Sequence, residues 1–481
     1  MMIDVLVSGM SDNFSSVIRI TDINDFITPQ EACIIPLKTV EDKNEGRVEI
    51  KPRVFVAAPS KKSSKIAVSL NDCLACNGCI TSAETVLIQE QSSDRMLESI
   101  PKYAISVVTL SPQAVCSIAA KRSLSVPEAA KLISGYLKSI GIRYILDSSF
   151  ARELTLELSY EEWREKQEAS TSENPLFCSV CPGFVCYAEK THGKLFVPLM
   201  SRVRSPQAIS GALVKDYLAG SLKISPGDLF HVTVMPCFDK KLEASRSEFK
   251  MGEEGQVAEV DCVISASELN QLLEGFEPKE EAVDVEEGKE EEPLTWLNAV
   301  ERGVMRGGSA EEEEASGGYA EYILRRYLEE QGQDAEQFTV TRDTKTKNME
   351  IVKVTHNDIV LFSMAKVYGF RNIQNMVQKL KRKKFPISYV EVMACPSGCS
   401  NGGGQVRAET SEERQELLAG VQARYATIRR DEDEDKKRNM KEEVNALRGG
   451  WKQLNEDHER LLKTEFRVVD RNVLGQAALR W

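Results

Sequence analysis

The sequence predicts an α/β protein in which helices alternate with buried parallel strands. The clearest helix begins at Ser125, which forms a capping box with Glu128, and its apolar-periodic run ends at Gly141. Short apolar segments, typical of buried strands, follow this helix at once and recur later in the chain. They are RYIL at 143–146, HVTVMPC at 231–237 and SYVEVMAC at 388–395.

Two of these predicted strands end in a cysteine, Cys237 and Cys395. In open α/β sheets, ligands bind at the carboxyl ends of the strands. We therefore expect these two distant segments to converge on one site.

Cysteine usage points to metal ligation in a reducing compartment. The chain has 481 residues, enough for roughly two to four domains that need no disulfides to stabilise them. Its 12 cysteines are partly grouped in C-x-x-C patterns, unlike the spacings of a small secreted domain. Only four histidines are present and none has the H-E-x-x-H spacing, so histidine-rich metal sites are poorly supported.

Composition also limits the cell compartments in which the protein is expected and the classes of partner that it can bind. The first residues, MMIDVLVSGMSDNF, lack the basic segment and long apolar core of a signal peptide, and no apolar run approaches the ~20 residues of a membrane span. We expect a soluble cytoplasmic protein without membrane contact, with the nucleus as an alternative location. The net charge of -12 argues against a nucleic-acid surface, although KLKRKKF at 379–385 is locally basic.

Two acidic, glycine-containing stretches interrupt the α/β pattern, EPKEEAVDVEEGKEEEP at 277–293 and GGSAEEEEASGG at 307–318. Such a composition cannot bury enough apolar surface to order itself, so we interpret 277–318 as a solvated acidic insertion. An acidic docking arm for a basic partner is the alternative.

A second capping box, Thr410 with Glu413, predicts another helix after the last glycines. Apolar residues on one face of this helix predict that it packs over the cysteine turn at 395–399. They are Leu417, Leu418, Val421, Tyr425 and Ile428. The charged run RRDEDEDKKRNMKEE at 429–443 is interpreted as an exposed extension of this helix or as a linker.

Three cysteines at C-x2-C-x2-C spacing, Cys73, Cys76 and Cys79, form the strongest local motif. Ferredoxin loops present three thiolates to one iron-sulfur cubane with this spacing, whereas structural zinc sites, the alternative, use two separated pairs. No cysteine followed by proline occurs soon after Cys79, so the fourth ligand must come from elsewhere. Cys33 and Cys116 are candidates, and we predict Cys33 because Cys116 fits a small buried core residue.

The stretch EVMACPSGCSNGGGQ at 391–405 places Cys395 and Cys399 on one short turn. So tight a loop meets disulfide geometry poorly, whereas thiolates beside bare backbone N–H groups suit a soft metal or an iron-sulfur cluster. Cys181 and Cys237 lie in turn-like segments, each beside a proline that fixes the local backbone. These four cysteines form the second predicted ligand set.

The three stretches CSVCPGF, MPCFDKKLE and EVMACPSGCSNGGGQ resemble, in this order, the three signature motifs of iron-only hydrogenases. ILDSSFARELTLE at 145–157 and SPQ at 205–207 are also similar to segments of that family. The resemblance implies a two-lobed α/β fold with parallel sheets around a buried 4Fe-4S cluster.

Carried onto this chain, the resemblance implies the cluster ligands Cys181, Cys237, Cys395 and Cys399. In hydrogenases the last of these cysteines also bridges to a two-iron subsite, which a lysine in the position of Lys240 contacts. Hydrogenases have a proton-donating cysteine where this chain has Val180, which cannot exchange a proton, so hydrogen turnover is not expected. Phe184 and Ser397 are lesser departures, in place of tryptophan and glycine.

The stretch INDFITPQEACII resembles the N-terminal signature of the eukaryotic hydrogenase-like factors of cytosolic iron-sulfur protein assembly, the prelamin A recognition factor-like family. This resemblance also implies that Cys33 completes the ligand set of the cysteine triplet, which gives two 4Fe-4S clusters. It implies an adaptor, not an enzyme, that connects the scaffold building cytosolic clusters to the late targeting complex. The alternatives are an iron-only hydrogenase or electron-transfer enzyme, and a zinc-stabilised interaction protein.

The predicted domains are a small ferredoxin-like cluster-binding region at 1–105, a hydrogenase-like two-lobed domain at 106–470 and a tail at 471–481. The terminal Trp481, an amphipathic aromatic beside a carboxylate, resembles the tails by which clients dock on the targeting complex. It is therefore a predicted docking element. The remaining cysteines are expected to be buried or incidental: Cys116, Cys178, Cys186 and Cys262.

Overall fold

The computed structural model describes residues 82–169, 175–252, 255–277, 300, 305, 317–332, 337–346, 348–430 and 434–469. Part of what the sequence predicts lies outside these residues. This part comprises Cys33, Cys73, Cys76, Cys79, the acidic insertion between 278 and 316 apart from Val300 and Met305, and the tail at 471–481.

In chain order, the helices of the described residues are α1 (Ser82–Glu90), α2 (Ser93–Ser99), α3 (Pro112–Lys121), α4 (Val126–Ser139), α5 (Ser149–Glu168), α6 (Pro182–Phe196), α7 (Pro206–Ala212), α8 (Ala219–Leu222), α9 (Asp239–Ala244), α10 (Ala266–Leu272), α11 (Tyr319–Gln331), α12 (Phe370–Lys381), α13 (Ser411–Arg430) and α14 (Glu434–Leu454). The strands are β1 (Ile105–Leu110), β2 (Tyr144–Asp147), β3 (Leu176–Cys178), β4 (Leu229–Met235), β5 (Lys250–Met251), β6 (Val257–Ala258), β7 (Cys262–Ser265), β8 (Phe338–Thr346), β9 (Met349–His356), β10 (Ile359–Tyr368) and β11 (Tyr389–Met393). A π-helical segment, Leu213–Leu218, joins α7 to α8. No helix among the described residues has both the length and the apolar character needed to cross a membrane.

The first lobe is a fully parallel four-stranded sheet in the order β2-β1-β4-β7. Its strands are apolar and β4 is buried along its whole length, as the sequence predicts for strands covered on both faces. Helices α3, α4, α10 and α13 contribute to the core on one face, and the π-helical segment covers the other. The strands predicted at 143–146 and 231–237 are confirmed as β2 and β4.

The second lobe is a five-stranded sheet in the order β3-β11-β10-β9-β8. β3, β11 and β10 pair in parallel, whereas β9 pairs antiparallel with both β10 and β8 at the far edge of the sheet. The sequence predicts parallel strands only, so this antiparallel extension departs from the expectation. Asn357 and Asp358 form the turn that joins β9 to β10. Both residues have φ above zero (51° and 61°), which suits a two-residue hairpin connection.

Both predicted capping boxes are present. Glu128 N donates to the Ser125 hydroxyl, and Ser125 N donates to the Glu128 carboxylate at 2.8 Å. Glu413 N donates to Thr410 Oγ1 at 3.2 Å, and Thr410 N donates back at 3.3 Å. α13 therefore starts where predicted and contacts the cysteine turn. The residues that it buries fully are Val421, Tyr425 and Ile428, while Leu417 and Leu418 are half-buried.

The charged run at 429–443 is not only an extension or a linker, because α14 begins within it at Glu434. Val444, Leu447 and Trp451, spaced at helical intervals, are buried against α5 and α7. Trp451 Nε1 also donates to Asp216 Oδ2 at 2.6 Å. The apolar residues that fix this helix follow the charged run, so the run alone did not reveal it.

Gly317, near the end of the acidic insertion, is the first residue of the next described segment. A Cβ atom at this position would overlap the Glu391 carboxylate and the Tyr368 hydroxyl, and φ is +81°, so only glycine fits. Gly318 N and Ala320 N donate to the two Glu391 oxygens at 3.1 and 3.0 Å. Glu391 lies on β11, four residues before Cys395, so the end of the insertion is bound to a strand of the metal centre.

Candidate metal centre

Four predicted ligands follow the carboxyl ends of three strands. Cys237 follows β4 of the first lobe, while Cys181 follows β3 of the second and caps α6. Cys395 follows β11, and Cys399 lies in the 3-10 turn Gly398–Asn401 just after it. The two lobes therefore meet at these cysteines, as expected from the position of ligand sites in α/β sheets.

The sulfur atoms of these cysteines lie close enough to influence one another. Burial, and then the charges of Cys181, Cys237 and Cys399, raises the pKa of Cys395. Burial likewise raises the pKa of Cys399 to about 12, with Cys181 as the next cause. Crowded buried thiolates need a compensating positive charge, which a metal group supplies.

A single metal ion and an iron-sulfur cubane need different arrangements of their ligands. Within the part of the chain that the structure describes, no group of three or more His, Cys, Asp or Glu side chains is arranged to hold one. A cubane has a wider ligand set, because each of its four irons takes one thiolate.

Backbone donors around Cys181 fit a thiolate ligand. Ala394 N lies 3.4 Å from Cys181 Sγ, and the N–H groups of Gly183 and Phe184, in the first turn of α6, also point to this sulfur. Burial raises the pKa of Cys181, and these hydrogen bonds act in the opposite direction because they favour the charged form. The donor set suits an iron-sulfur cluster.

Two glycines bring the ligand loops of the two lobes together. A Cβ atom on Gly402 would overlap the carbonyl of Pro236, and one on Gly404 would lie 3.1 Å from Cα of Cys237. Gly404 N also donates to Pro236 O at 2.9 Å. The glycine run after Cys399 therefore serves close packing of the two ligand loops.

Ser397, which stands where hydrogenases have glycine, has a left-handed backbone with φ of 57°. A non-glycine residue pays roughly 1–2 kcal/mol for this conformation. Ser397 N donates to Asn348 Oδ1 at 2.7 Å, a contact that supports the turn. The departure at 397 thus leaves the turn intact.

Lys240 is buried close to the cysteines, and its charge lowers the pKa of both Cys237 and Cys399 against the larger effect of burial. Its ammonium donates to both oxygens of Glu243 at 2.9 Å and to Ser205 Oγ at 3.0 Å. An ammonium has three donors, so these contacts occupy all of them. Sequence reasoning found Lys240 but missed Glu243.

Val180 lies among apolar side chains of the second lobe, beside the core that contains Tyr319, Tyr389 and Met393. The neighbouring Ser179 hydroxyl donates to Val392 O at 2.7 Å. No exchangeable proton therefore stands at the position of the hydrogenase cysteine.

Arg152 is a functional candidate that sequence reasoning missed. Its guanidinium donates to Tyr425 OH at 2.6 Å and to Gly317 O at 2.9 Å, which ties α5 to α13 and to the end of the acidic insertion. Its charge also acts to lower the pKa of Cys399. The only local signal was its place inside ILDSSFARELTLE, since its partners lie far away in the sequence.

The other cysteines of the described chain form no disulfide bonds. Cys116, Cys178 and Cys262 are buried, as predicted, and Cys186 is half-buried. The N-terminal ligand set lies outside the described residues, which begin with α1 at Ser82.

Comparison with known proteins gives a consistent result. Residues 104–403 match the family described as iron only hydrogenase large subunit, C-terminal domain. The chain is 45% identical to a probable cytosolic Fe-S cluster assembly factor of Brugia malayi, over 97% of this chain and 98% of that protein. It is 40% identical to the cytosolic iron-sulfur assembly component 3 of Mus musculus, over 98% of this chain and 100% of that protein.

Solved structures show the same fold. An apo [FeFe]-hydrogenase variant of Chlamydomonas reinhardtii superposes with a TM-score of 0.58 at 21% sequence identity, covering 78% of this chain and 98% of that one. The two-lobed hydrogenase-like fold expected from the sequence is thereby confirmed for the described residues.

Proposed function

The chain belongs to the iron-only hydrogenase-like family of cytosolic iron-sulfur assembly factors, and on this premise we propose that it carries two 4Fe-4S clusters and links the early cluster scaffold to the late targeting complex. In this role it is an adaptor for the maturation of extramitochondrial iron-sulfur proteins, not an enzyme. It works in the cytoplasm, with the nucleus as a second location.

The observation that carries this proposal is the four-cysteine centre between the lobes, combined with valine at position 180. Cys181, Cys237, Cys395 and Cys399 would hold the first cluster. When bound, the cluster supplies iron that neutralises the thiolates and a centre that can accept one electron. The backbone N–H groups around Cys181 favour the charged form of its sulfur, and the lobes exclude water from Cys237 and Cys395, which are 9% and 7% exposed.

The same centre argues against the hydrogenase alternative. Val180 has no proton to give, and all three donors of Lys240 are bound to Glu243 and Ser205. The chain therefore lacks the proton donor that the resemblance assigns to a two-iron subsite, and Lys240, which the resemblance places in contact with that subsite, binds Glu243 and Ser205. Two observations together would contradict the assignment as an adaptor: infrared bands of protein-bound carbonyl and cyanide ligands, and evolution of hydrogen when a strong reductant supplies electrons.

The second cluster is proposed on the sequence motif alone, with Cys33, Cys73, Cys76 and Cys79 as ligands. Three thiolates at C-x2-C-x2-C spacing suit a cubane better than zinc. Exchange of an electron, or of the cluster itself, with a partner is the role proposed for this second set.

Metal analysis after anaerobic purification tests the proposal. We expect about eight iron atoms and a matching amount of labile sulfide per chain, because two cubanes carry four irons each. Four iron atoms would show that one ligand set is wrong, and zinc in place of iron would favour the interaction protein that uses a structural zinc. Cys73→Ser and Cys395→Ser, measured separately, should each remove about four irons and identify the set that each cysteine serves.

Docking on the targeting complex is proposed to use Trp481, whose indole and carboxylate form a compact anchor for a pocket with a cation or backbone donors. Deleting Trp481 should abolish co-purification with the targeting complex while iron content and melting temperature stay unchanged. Replacing Trp481 by Phe is the matched control, since it keeps an aromatic anchor and should retain part of the binding. Binding that survives the deletion, or iron lost with it, would exclude the tail as the docking element.

A further inference from the structure

Three consecutive apolar residues are exposed at the start of β10, in the second lobe. Ile359, Val360 and Leu361 are 67%, 54% and 41% exposed. They directly follow the turn that joins β9 to β10. Single exposed apolar side chains are common on proteins, but a contiguous group of them is a candidate for contact with another molecule.

The backbone of this stretch has one open side. β9 pairs with it on the other side, through Ile359 and Val360. The pairing of β10 with β11 begins only at Met364, opposite Tyr389, and no other strand of the described chain pairs with β10. The backbone groups of an unpaired strand edge can bind an extended segment of another chain, which adds to the sheet as a further strand.

The loop between α12 and β11 lies next to this open edge. Ser363 Oγ donates to Pro386 O at 2.8 Å, and Ser388 N donates to Ser363 O at 2.9 Å, so the loop is held two residues from Leu361. Exposed cations lead into this loop, and none of them forms an ion pair with a residue that the structure describes. They are Lys379, Lys381, Arg382, Lys383 and Lys384.

The polarity of α12 explains only part of this positive charge. The helix dipole favours cations in the last turn of a helix, which accounts for Lys379 and Lys381. Its effect falls off beyond the last turn, so it does not account for the three cations at 382–384. On a chain of net charge -12, a local group of exposed cations without carboxylate partners attracts an anionic partner.

The chemistry of the surface favours an acidic protein segment over a nucleic acid or a membrane. Aliphatic side chains line the open edge, whereas single-stranded nucleic acids stack their bases on aromatic residues. A long polyanion or an anionic membrane would also meet the net negative charge of the chain. A short acidic segment in extended conformation can contact the cations, the apolar side chains and the backbone edge together.

We propose that the surface formed by 359–361 and the cations at 379–384, the basic edge, binds an extended acidic segment of a partner protein. The segment adds as a short strand to the open side of β10, with its carboxylates facing the cations and its apolar side chains packed on 359–361. β10 and β11 are parallel, so the basic edge lies at the amino ends of these strands and the cysteines lie at the carboxyl ends. At ~3.3 Å per residue, the length of β10 separates the two by about 30 Å.

Fluorescence anisotropy tests the proposal on the anaerobically purified full chain. The probe is a short fluorescein-labelled peptide of alternating glutamate and valine. It should bind with an affinity that falls as salt is added, and it should slow hydrogen-deuterium exchange of the amides at 359–363. A peptide with proline in place of every valine keeps the charge but cannot form a regular strand, so it should bind at least about tenfold more weakly.

Removal of charge tests the role of the cations. The combined variant Lys381→Gln, Arg382→Gln, Lys384→Gln should bind the glutamate-valine peptide at least about tenfold more weakly, because three exposed ion pairs are lost. The matched control makes the same change in net charge at three exposed lysines of the first lobe and should bind as the wild type does. These lysines are Lys102, Lys121 and Lys131.

A single substitution tests the open edge itself. Val360→Glu places a carboxylate where the acidic segment would pack, so it should also weaken binding about tenfold, while the exposure of Val360 leaves the fold intact. Val86→Glu is its control, since Val86 is 51% exposed on α1 of the first lobe. Binding to this control should equal binding to the wild type.

Several results would overturn the proposal. Equal binding by the charge variant and its control would do so, as would equal binding of the two peptides or binding without slower exchange at 359–363. Tighter binding of a single-stranded oligouridylate through the same cations would assign the basic edge to nucleic acid instead. Peptide binding that appears only after deletion of 306–316 would assign it to the acidic run of this chain.

The remaining rival is a protective role for the cations, since lysines beside an open strand edge prevent it from pairing with a second copy. Self-association of the charge variant, with no peptide binding by the wild type, would establish that role and overturn the proposal. Iron per chain should be the same in every variant, because the basic edge is remote from the cysteines. Failure of this proposal therefore leaves the proposed function standing, and a wrong iron count leaves the peptide test valid.

Discussion

Lys240 and Lys241 are consecutive residues of α9, but they belong to different regions of the molecule. Lys240 faces the cysteines and binds Glu243 and Ser205. Lys241 faces α1 and binds both oxygens of Glu268 at 2.9 Å and Gln91 O at 2.6 Å. Consecutive residues of a helix project about 100° apart, so α9 is buried on two sides at once.

The difference between these two sides shows that α9 contacts the metal centre on one side and stabilises the fold on the other. On the cysteine side, the charge of Lys240 lies near sulfur atoms and its ion pair is local, three residues along the same helix. On the α1 side, the Lys241 ion pair joins two helices and holds the chain that leads back to the cysteine triplet. We therefore expect damage on the first side to affect the cluster, and damage on the second to affect the fold.

The largest effect should come from the cysteine side. Cys395→Ser should remove the cluster between the lobes and lower the free energy of unfolding by on the order of 5 kcal/mol or more, because cluster binding is coupled to folding of the surrounding protein. Cys73→Ser is the control, since it should cost a similar amount of iron with little loss of melting temperature. Equal thermal losses in the two variants would show that the site between the lobes is not the more strongly coupled one.

On the α1 side, Lys241→Met should destabilise the fold by about 3–5 kcal/mol, because it leaves the buried Glu268 carboxylate without a cation. Denaturant unfolding measures this loss, and iron per folded chain in the site between the lobes should stay constant. The double variant Lys241→Met, Glu268→Gln should recover part of the stability, since no uncompensated charge remains. A double variant as unstable as the single one would mean that the ion pair is not the source of the loss.

A smaller effect should follow from Gly404→Ala, which tests the packing of the two ligand loops. The new Cβ would lie 2.9 Å from Cβ of Ser265 and 3.1 Å from Cα of Cys237, so we expect a loss of about 1–3 kcal/mol and weaker retention of iron. Gly449→Ala in α14 is the matched control, with nothing within 4 Å of its Cβ, and should stabilise the chain by about 0.5–1 kcal/mol. Iron release to a chelator that is equal in both variants would refute the role assigned to Gly404.

Sequence reasoning succeeded where the signal is local. The capping boxes at Ser125 and Thr410 and the buried strands before Cys237 and Cys395 depend on residues within a few positions of one another. The four cysteines of the centre were found because motifs of known order place them after strands. Their role as ligands stays a prediction.

Contacts between distant segments could not be predicted in this way. Lys241 and Glu268 are 27 residues apart, and Arg152 and Tyr425 are 273 apart, with no pattern in either segment that names the other. The antiparallel extension β8-β9 escaped notice because its outer strand is mostly polar and exposed, without the apolar alternation that marks a buried strand. Tertiary packing, not local preference, fixes these elements.

The position of Gly317 against Glu391 bears on how this chain tolerates change in length. The contacts of Gly317, Gly318 and Ala320 with Glu391 fix the point where the chain returns to the sheet, and they do not depend on how many residues precede them. Doubling the length of a flexible connection costs only about 0.6 kcal/mol of closure entropy. Positions in this connection away from Val300 and Met305, which are buried in the core of the first lobe, are therefore a natural place to graft an affinity tag or a fluorescent reporter, provided that the glycine at 317 is kept.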